Sequence, residues 1–209
     1  VDLKLEFWGS GTARTLRPIW MAEELNLKYE LNPIGPRTGE TLTPEYSALN
    51  PKQKIPLIKH GDFLLSESVA ICRYLQSISS TKITHSPENR QIQAKEDEWC
   101  NFIYGELDET SLYVMRRHYD LKKIYGDAPE VVKSCRQYFK KQLSVVEDTL
   151  SQNGTLFGLE FGLADILLTS CLDWAVAYEF KLPENVYKYH KRITLRDAYI
   201  RAVEINYKS

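Results

Sequence analysis

Asn50-Pro51-Lys52-Gln53-Lys54-Ile55-Pro56-Leu57-Ile58-Lys59-His60-Gly61-Asp62-Phe63-Leu64-Leu65-Ser66-Glu67-Ser68-Val69-Ala70-Ile71-Cys72-Arg73-Tyr74-Leu75 is the stretch on which the fold of this chain turns. Ile55 to Lys59 and Asp62 to Leu65 are short apolar runs joined at His60-Gly61, the pattern of a β-hairpin. Ser66 then opens a helix, so a hairpin passes directly into a helix.

Upstream, Leu3, Leu5 and Phe7 alternate with Asp2, Lys4 and Glu6, the period of a half-buried strand. Thr15 to Leu25 reads as a helix with Thr15 as cap and Pro18 in the first turn, where a missing N–H does no harm. Lys28 to Leu31 reads as a second strand, and Thr43-Pro44-Glu45 as the capped start of a short helix. The predicted order up to residue 78 is βαβ, short helix, ββα.

Downstream, a polar stretch from Ser77 to Pro87 leads into long helices. Ile92, Trp99, Phe102, Ile103, Leu107 and Val114 mark one face of a helix of up to about thirty residues. Asp127-Ala128-Pro129-Glu130 opens the next, whose apolar positions run from Val131 to Leu150, with Asn153-Gly154 as its close. Ala164 to Ala177 is apolar nearly all round and belongs at the centre of a helical bundle. The expected domains are 1–78, a linker 79–88, and an all-helical 89–209.

At roughly 150 residues per domain, 209 residues allow one large or two small domains. The 27 basic and 28 acidic residues provide no global field for nucleic acid or an anionic membrane. Gly9-Ser10-Gly11 has Arg14 where a dinucleotide fingerprint needs its third Gly, and the four histidines lack metal-ligand spacing. Cys72, Cys100, Cys135 and Cys171 form no Cys-x-x-Cys, and the charged start Val1 to Glu6 lacks a signal-peptide pattern. The expectation is a cytoplasmic protein with no metal, nucleic-acid or membrane partner.

Two polar clusters remain, each where a strand gives way to a helix. Ser10-Gly11-Thr12-Ala13-Arg14-Thr15 combines a permissive glycine with hydroxyls before a helix N-terminus, a place that stabilises an anion. Ser66-Glu67-Ser68 carries a carboxylate for a ligand ammonium and a hydroxyl for a ligand carboxylate. Both clusters also read as ordinary helix caps.

Taken together, Asn50-Pro51-x-x-Lys54-Ile55-Pro56-Leu57 and Gly61-Asp62-x-x-Leu65-x-Glu67-Ser68-x-Ala70-Ile71-x-x-Tyr74-Leu75 resemble the glutathione-binding half of cytosolic glutathione transferases, of a bacterial or theta-like, hydroxyl-type kind. The resemblance extends to Trp20-x-x-Glu23-Glu24-Leu25-x-Leu27-x-Tyr29-Glu30 and to Gly158-x-x-Phe161-x-x-Ala164-Asp165-Ile166. It implies an α/β thioredoxin-like N-terminal domain of βαβββα order followed by an all-α helical bundle domain. It also implies a cis Pro56, an Ile55 backbone facing the cysteinyl part of glutathione, Glu67 and Ser68 at its γ-glutamyl end, and Gln53 or Lys54 near its glycyl carboxylate.

The implied activity is a glutathione S-transferase of the detoxification type, a homodimer, turning the glutathione thiolate on a small hydrophobic electrophile. Ser10 stands first as the activating hydroxyl and Thr12 second, with Arg14 adding positive potential. Tyr104, Tyr113 and Arg116, with Met115 and Trp174, are the candidates for the electrophile side. The absence of cysteine from the first 71 residues argues against the thiol-using members. Gln53 stands where Gly is frequent in the family, and Gly162 where the central helix usually has a Ser or Thr cap. A non-catalytic binding or assembly module of the same fold is the alternative.

Overall fold

The computed structural model describes residues 3–81, 89–152, 156 and 161–208. β1 (Leu5–Trp8) buries Leu5 and Phe7 and leaves Glu6 and Trp8 half-covered, the alternation of a strand with one face in a core. It is followed by α1 (Ala13–Glu24), β2 (Glu30–Asn32), a 3-10 turn at Glu40–Leu42, α2 (Pro44–Leu49), β3 (Leu57–His60), β4 (Phe63–Ser66) and α3 (Ser68–Ile78). The sheet order is β2-β1-β3-β4, with β1 parallel to β2 and antiparallel to β3, and β3 antiparallel to β4. Leu16, Ile19 and Trp20 of α1 and Ile71 and Leu75 of α3 are buried in the same core as Leu57 and Ile58 of β3.

Four local boundaries differ from the expectation. α1 begins at Ala13 with Thr12 as its cap, because the N–H groups of Thr12 and Thr15 each donate to the other's hydroxyl at 3.0 Å. Thr15 is therefore the third helical residue rather than the cap, and Pro18 lies inside the helix rather than in its first turn. β2 starts at Glu30 and not Lys28, since Asn26 (φ +52) ends α1 in the left-handed region and the Leu27 N–H still returns to Ala22.

The hairpin strands also start later than the apolar runs, β3 by two residues and β4 by one. The Lys54 carbonyl accepts from Tyr46 Oη at 2.6 Å and Asn50 Nδ2 at 2.8 Å, and Pro56 has no N–H to give, so pairing begins at Leu57. α3 is capped by Glu67 rather than opened by Ser66.

A second compact unit contains α4 (Arg90–Phe102), a π-helical stretch Ile103–Tyr113, α5 (Val114–His118), α6 (Lys122–Tyr125), α7 (Pro129–Gln152), α8 (Leu163–Ala177) and α9 (Glu184–Ile193). The long helix expected from Ile92 to Val114 is present, but its middle is wider than an α-helix. Buried Ile103, Leu107, Asp108, Ser111 and Leu112 recur at four to five residues, and Ser111 Oγ donates to the Glu106 carbonyl five residues back at 2.7 Å. Asn153, Gly154 and Gly158 lie outside the described residues, as does most of the expected linker.

α8 is buried on nearly every side, as its composition requires. Gly162 precedes it, and Asp165 Oδ2 accepts the Gly162 N–H at 2.8 Å. Glu96 Oε1, from α4, accepts the Leu163 N–H at 2.8 Å, so a carboxylate from a neighbouring helix serves where Gly162 has no hydroxyl. Tyr189 Oη donates to Asp165 Oδ1 at 2.8 Å from α9.

The chain ends in α10 (Asp197–Lys208), which belongs to the first unit. The compact units are 1–83 with 194–209, and 84–193, whereas a linear division gives everything after 88 to the helical half. The reason is side-chain chemistry on α1. Arg196 clamps Glu24 with Nε–Oε1 at 2.6 Å and Nη2–Oε2 at 2.8 Å, and Arg201 meets Glu23 at 2.8 Å. Tyr199 sits edge-on to Trp20, ring centroids 4.9 Å apart.

Candidate functional site

Gly9, Ser10 and Gly11 leave β1 in a loop pinned by its own backbone. The N–H groups of Gly9 and Ser10 donate to the carbonyls of Asn32 and Ile34, each at 3.0 Å. Gly9 has φ +115, and a Cβ there would stand 2.6 Å from Ile55 Cβ, so no larger residue fits. That close approach brings Ile55 and the cis Ile55–Pro56 bond, present as the resemblance implies, against the loop that carries Ser10 and Thr12.

The Ser10 side chain is 5% exposed, and its hydroxyl has no hydrogen-bond partner among the described residues. Thr12 is half-buried, and its oxygen already accepts from the Thr15 N–H. A hydroxyl has one hydrogen and two lone pairs, so capping does not consume the Thr12 hydrogen, but the Thr15 hydroxyl stands 3.0 Å from the same oxygen as its hydrogen-bond partner. Arg14 lies half-buried in the first turn of α1.

The head of α3 forms the second part. Glu67 holds φ +78 and ψ 116, a strained backbone for a residue with a side chain, and makes no side-chain cap. Its carboxylate pairs with Lys52 Nζ at 2.7 Å, and Lys52 also donates to Ser66 Oγ at 3.0 Å. Ser68 is 4% exposed and accepts from Nη1 of the fully buried Arg17 at 3.4 Å. Burial pushes the Cys72 thiol up to about 12 despite the same guanidinium, which makes it inert at neutral pH.

Gln53 has φ +54, and its amide donates to Ser47 Oγ at 3.1 Å. Glycine is the easy residue at such a φ, so Gln53 keeps the loop form that the family's glycine would favour. Lys52 and Arg17 were missed by sequence reasoning. Each becomes visible only when the hairpin brings residues 50 to 56 beside Glu67, and when α1 and α3 pack together, because their partners stand 15 and 51 residues away in sequence.

Tyr104 and Tyr113 lie in the π-helical stretch and Arg116 in α5, all within the second unit. Tyr104 Oη donates to Glu109 at 3.2 Å. Met115 faces the core with no exposure, so it offers no surface to a substrate. Among the described residues, no His, Cys, Asp or Glu group of three or more is arranged to hold a metal. Nor is any described helix long and apolar enough to cross a membrane.

Family models match both parts of the chain: the glutathione S-transferase N-terminal domain over residues 3–77 and the C-terminal domain over 105–197. This chain belongs to the glutathione S-transferase family. Its fold is the family's, a thioredoxin-like α/β domain with a four-stranded sheet followed by a helical domain, and its activity class is glutathione S-transferase.

Among similar proteins, glutathione S-transferase theta-1 of Bos taurus is 28% identical over 167 residues, 78% of this chain and 70% of that protein. Glutathione S-transferase GstA of Escherichia coli O157:H7 is 30% identical over 156 residues, 73% of each. In fold the chain is similar to the glutathione transferase URE2P6 from Phanerochaete chrysosporium, solved with oxidized glutathione. The TM-score is 0.87 at 22% identity, over 99% of this chain and 97% of that one. A theta-class enzyme of Xanthomonas axonopodis pv. citri, solved with glutathione bound, gives a TM-score of 0.78 at 24% identity, over 96% and 97% of the two chains.

Proposed function

We propose that this transferase binds glutathione along the line from the head of α3 to the Ser10–Thr12 loop and activates its thiol as a thiolate for attack on a small hydrophobic electrophile. The observation that carries the reading is the close approach of Gly9 to Ile55, beside an α3 head whose capping residue supplies no acceptor of its own. Glu67 takes the ligand's ammonium, while Ser68 and the first N–H groups of α3 take its γ-glutamyl carboxylate. The Ile55 backbone faces the cysteinyl part, and Gln53 or Lys54 stands near the glycyl carboxylate.

A reference thiol has pKa about 8.5, and a fall of about two units, roughly 2.7 kcal/mol, makes the thiolate dominant at neutral pH. One hydroxyl donor and the N-terminus of α1 are enough to supply it, with Arg14 adding positive potential. Ser10 is favoured by its unengaged hydroxyl. Thr12 is the second reading, favoured by its greater exposure. Tyr104, Tyr113 and Arg116 are proposed for the electrophile.

Exposed Phe63 and Leu64 on the edge strand β4 support a homodimer. The four described cysteines, all buried and free, support a reducing cytoplasm and a detoxification role there. The experiment is calorimetry with glutathione, followed by titration of thiolate absorbance and an aryl-halide conjugation assay in wild type, Ser10→Ala and Thr12→Ala. The activating hydroxyl is the one whose removal raises the bound thiol's pKa by about one to two units. Glutathione binding without conjugation would leave the module reading in place of the enzyme.

A further inference from the structure

Asn206 lies in the last turn of α10, is 1% exposed, and turns both its side-chain amide and its carbonyl to the loop that opens α1. Its carbonyl is among the last four of the helix and has no N–H to meet inside it; it accepts the Gly11 N–H at 2.8 Å. Its Nδ2 donates to the Thr12 carbonyl at 3.0 Å, and its Oδ1 accepts from Thr15 Oγ1 at 2.7 Å. The amide orientation is fixed by chemistry, because the Thr12 carbonyl can only accept and must face the nitrogen.

This arrangement orders the hydroxyls around it. With the Thr15 hydrogen committed to Asn206, Thr15 Oγ1 is left to accept, and it does so from the Thr12 N–H at 3.0 Å. Thr15 then cannot donate to Thr12, so Thr12 is the donor in their 3.0 Å contact and its hydrogen is held by Thr15, which leaves the buried Ser10 hydroxyl as the one without an acceptor among the described residues. Asn206 also holds the peptide between Ser10 and Gly11 through the Gly11 N–H, so both candidate hydroxyls hang from a loop that it fixes. Gly11 has φ +78, and a Cβ there would meet nothing within 4 Å, so this glycine serves the backbone turn toward Asn206 and not a tight space.

We propose that Asn206 is a positioning residue for thiol activation: it locks the Ser10–Thr15 loop and directs the hydroxyl hydrogens so that one is presented to the glutathione sulfur. The glutathione part of this inference rests on the function proposed above; the locking of the loop does not. α10 is thus part of the machinery of the N-terminal domain although about 190 residues of sequence separate Asn206 from the loop, a span that the Thr12 and Thr15 bonds close directly.

The test compares wild type, Asn206→Ala and Arg201→Ala, the last loosening α10 from α1 at the Glu23 pair without touching the loop. Amide hydrogen exchange at Gly11 and Thr15 is read without ligand, and should quicken about tenfold or more in Asn206→Ala but not in Arg201→Ala. With glutathione, the bound thiol's pKa should rise by about one unit and kcat fall about tenfold below that pKa in Asn206→Ala alone, with glutathione affinity within about twofold of wild type. Equal exchange and equal pKa in Asn206→Ala and wild type would overturn the proposal, as would identical shifts in Arg201→Ala, which would reduce Asn206 to helix docking. If wild type itself binds no glutathione, the exchange arm still decides whether Asn206 locks the loop, and it is the functional reading that falls.

Discussion

At the head of α8, Asp165 takes the Gly162 N–H and the Tyr189 hydroxyl, and Glu96 takes the Leu163 N–H, all out of water. At the head of α3, Glu67 caps with no side-chain bond and turns its carboxylate outward to exposed Lys52. Both helices present first-turn N–H groups that need acceptors. One head is closed by the protein's own carboxylates, at the cost of burying two acids together. The other is built with a strained capping residue and no internal acceptor. That contrast separates a structural cap from the helix head proposed to receive the ligand, although both stretches look alike as acidic residues near a helix start.

Four measurements bear on the contrast. The largest effect belongs to Asp165→Ala, which leaves the Gly162 N–H buried without its partner and the Tyr189 hydroxyl with only the long 3.4 Å contact to the residue-165 carbonyl. Each such group costs about 1–3 kcal/mol, so urea unfolding should show a loss of about 3 kcal/mol or more. An unchanged midpoint would mean that α8 is not closed by this carboxylate.

Next comes pH. Burial pushes the Asp165 carboxyl up to about 6, with Glu96 adding to the rise and the bonds from Tyr189 and Gly162 opposing it. The folded form binds the proton more tightly than the unfolded chain, so the contribution of Asp165 is fully present below about pH 4 and lost as pH rises through about 6. Measured against Asp165→Asn, wild type should lose roughly 3 kcal/mol across that window. A pH-independent difference would show that Asp165 ionises as an ordinary surface carboxylate does.

At the open head, Glu67→Gln should weaken glutathione binding about tenfold or more, since a charge-assisted bond contributes about 1.5–3 kcal/mol. Its unfolding free energy should barely move, the reverse of the Asp165 result. Calorimetry that returned the wild-type affinity would remove Glu67 from the ligand site. Smallest of all, Lys52→Ala should change stability by only a few tenths of a kcal/mol, because the pair with Glu67 is more than half exposed on both sides. A loss above about 1 kcal/mol would make that pair structural and narrow the difference between the two heads.

The local grammar of this chain was legible in its residues. Period-two alternation marked β1, the Thr43-Pro44 start marked α2, and the near-uniform apolarity of Ala164 to Ala177 placed α8 at a centre, because each depends only on which faces must leave water. That Glu67 and Ser68 stand at a helix start after the hairpin was likewise readable. Boundaries were less so: Thr12 and Thr15 are equally good caps by type, and the choice between them depends on reciprocal bonds at 3.0 Å.

Tertiary structure alone decided four further matters. The pairing of Lys52 with Glu67, the pointing of buried Arg17 at Ser68, and the use of Glu96 where Gly162 has no side chain all join residues that no local pattern connects. The return of α10 to the first unit is a larger matter still. Arg196, just before it, and its residues Arg201 and Asn206 acquire their meaning only from Glu23, Glu24 and the Gly11 to Thr15 loop. A chain specifies its periodicities one segment at a time, whereas the partner of a charged or amide side chain is fixed by which segments the packed cores bring together.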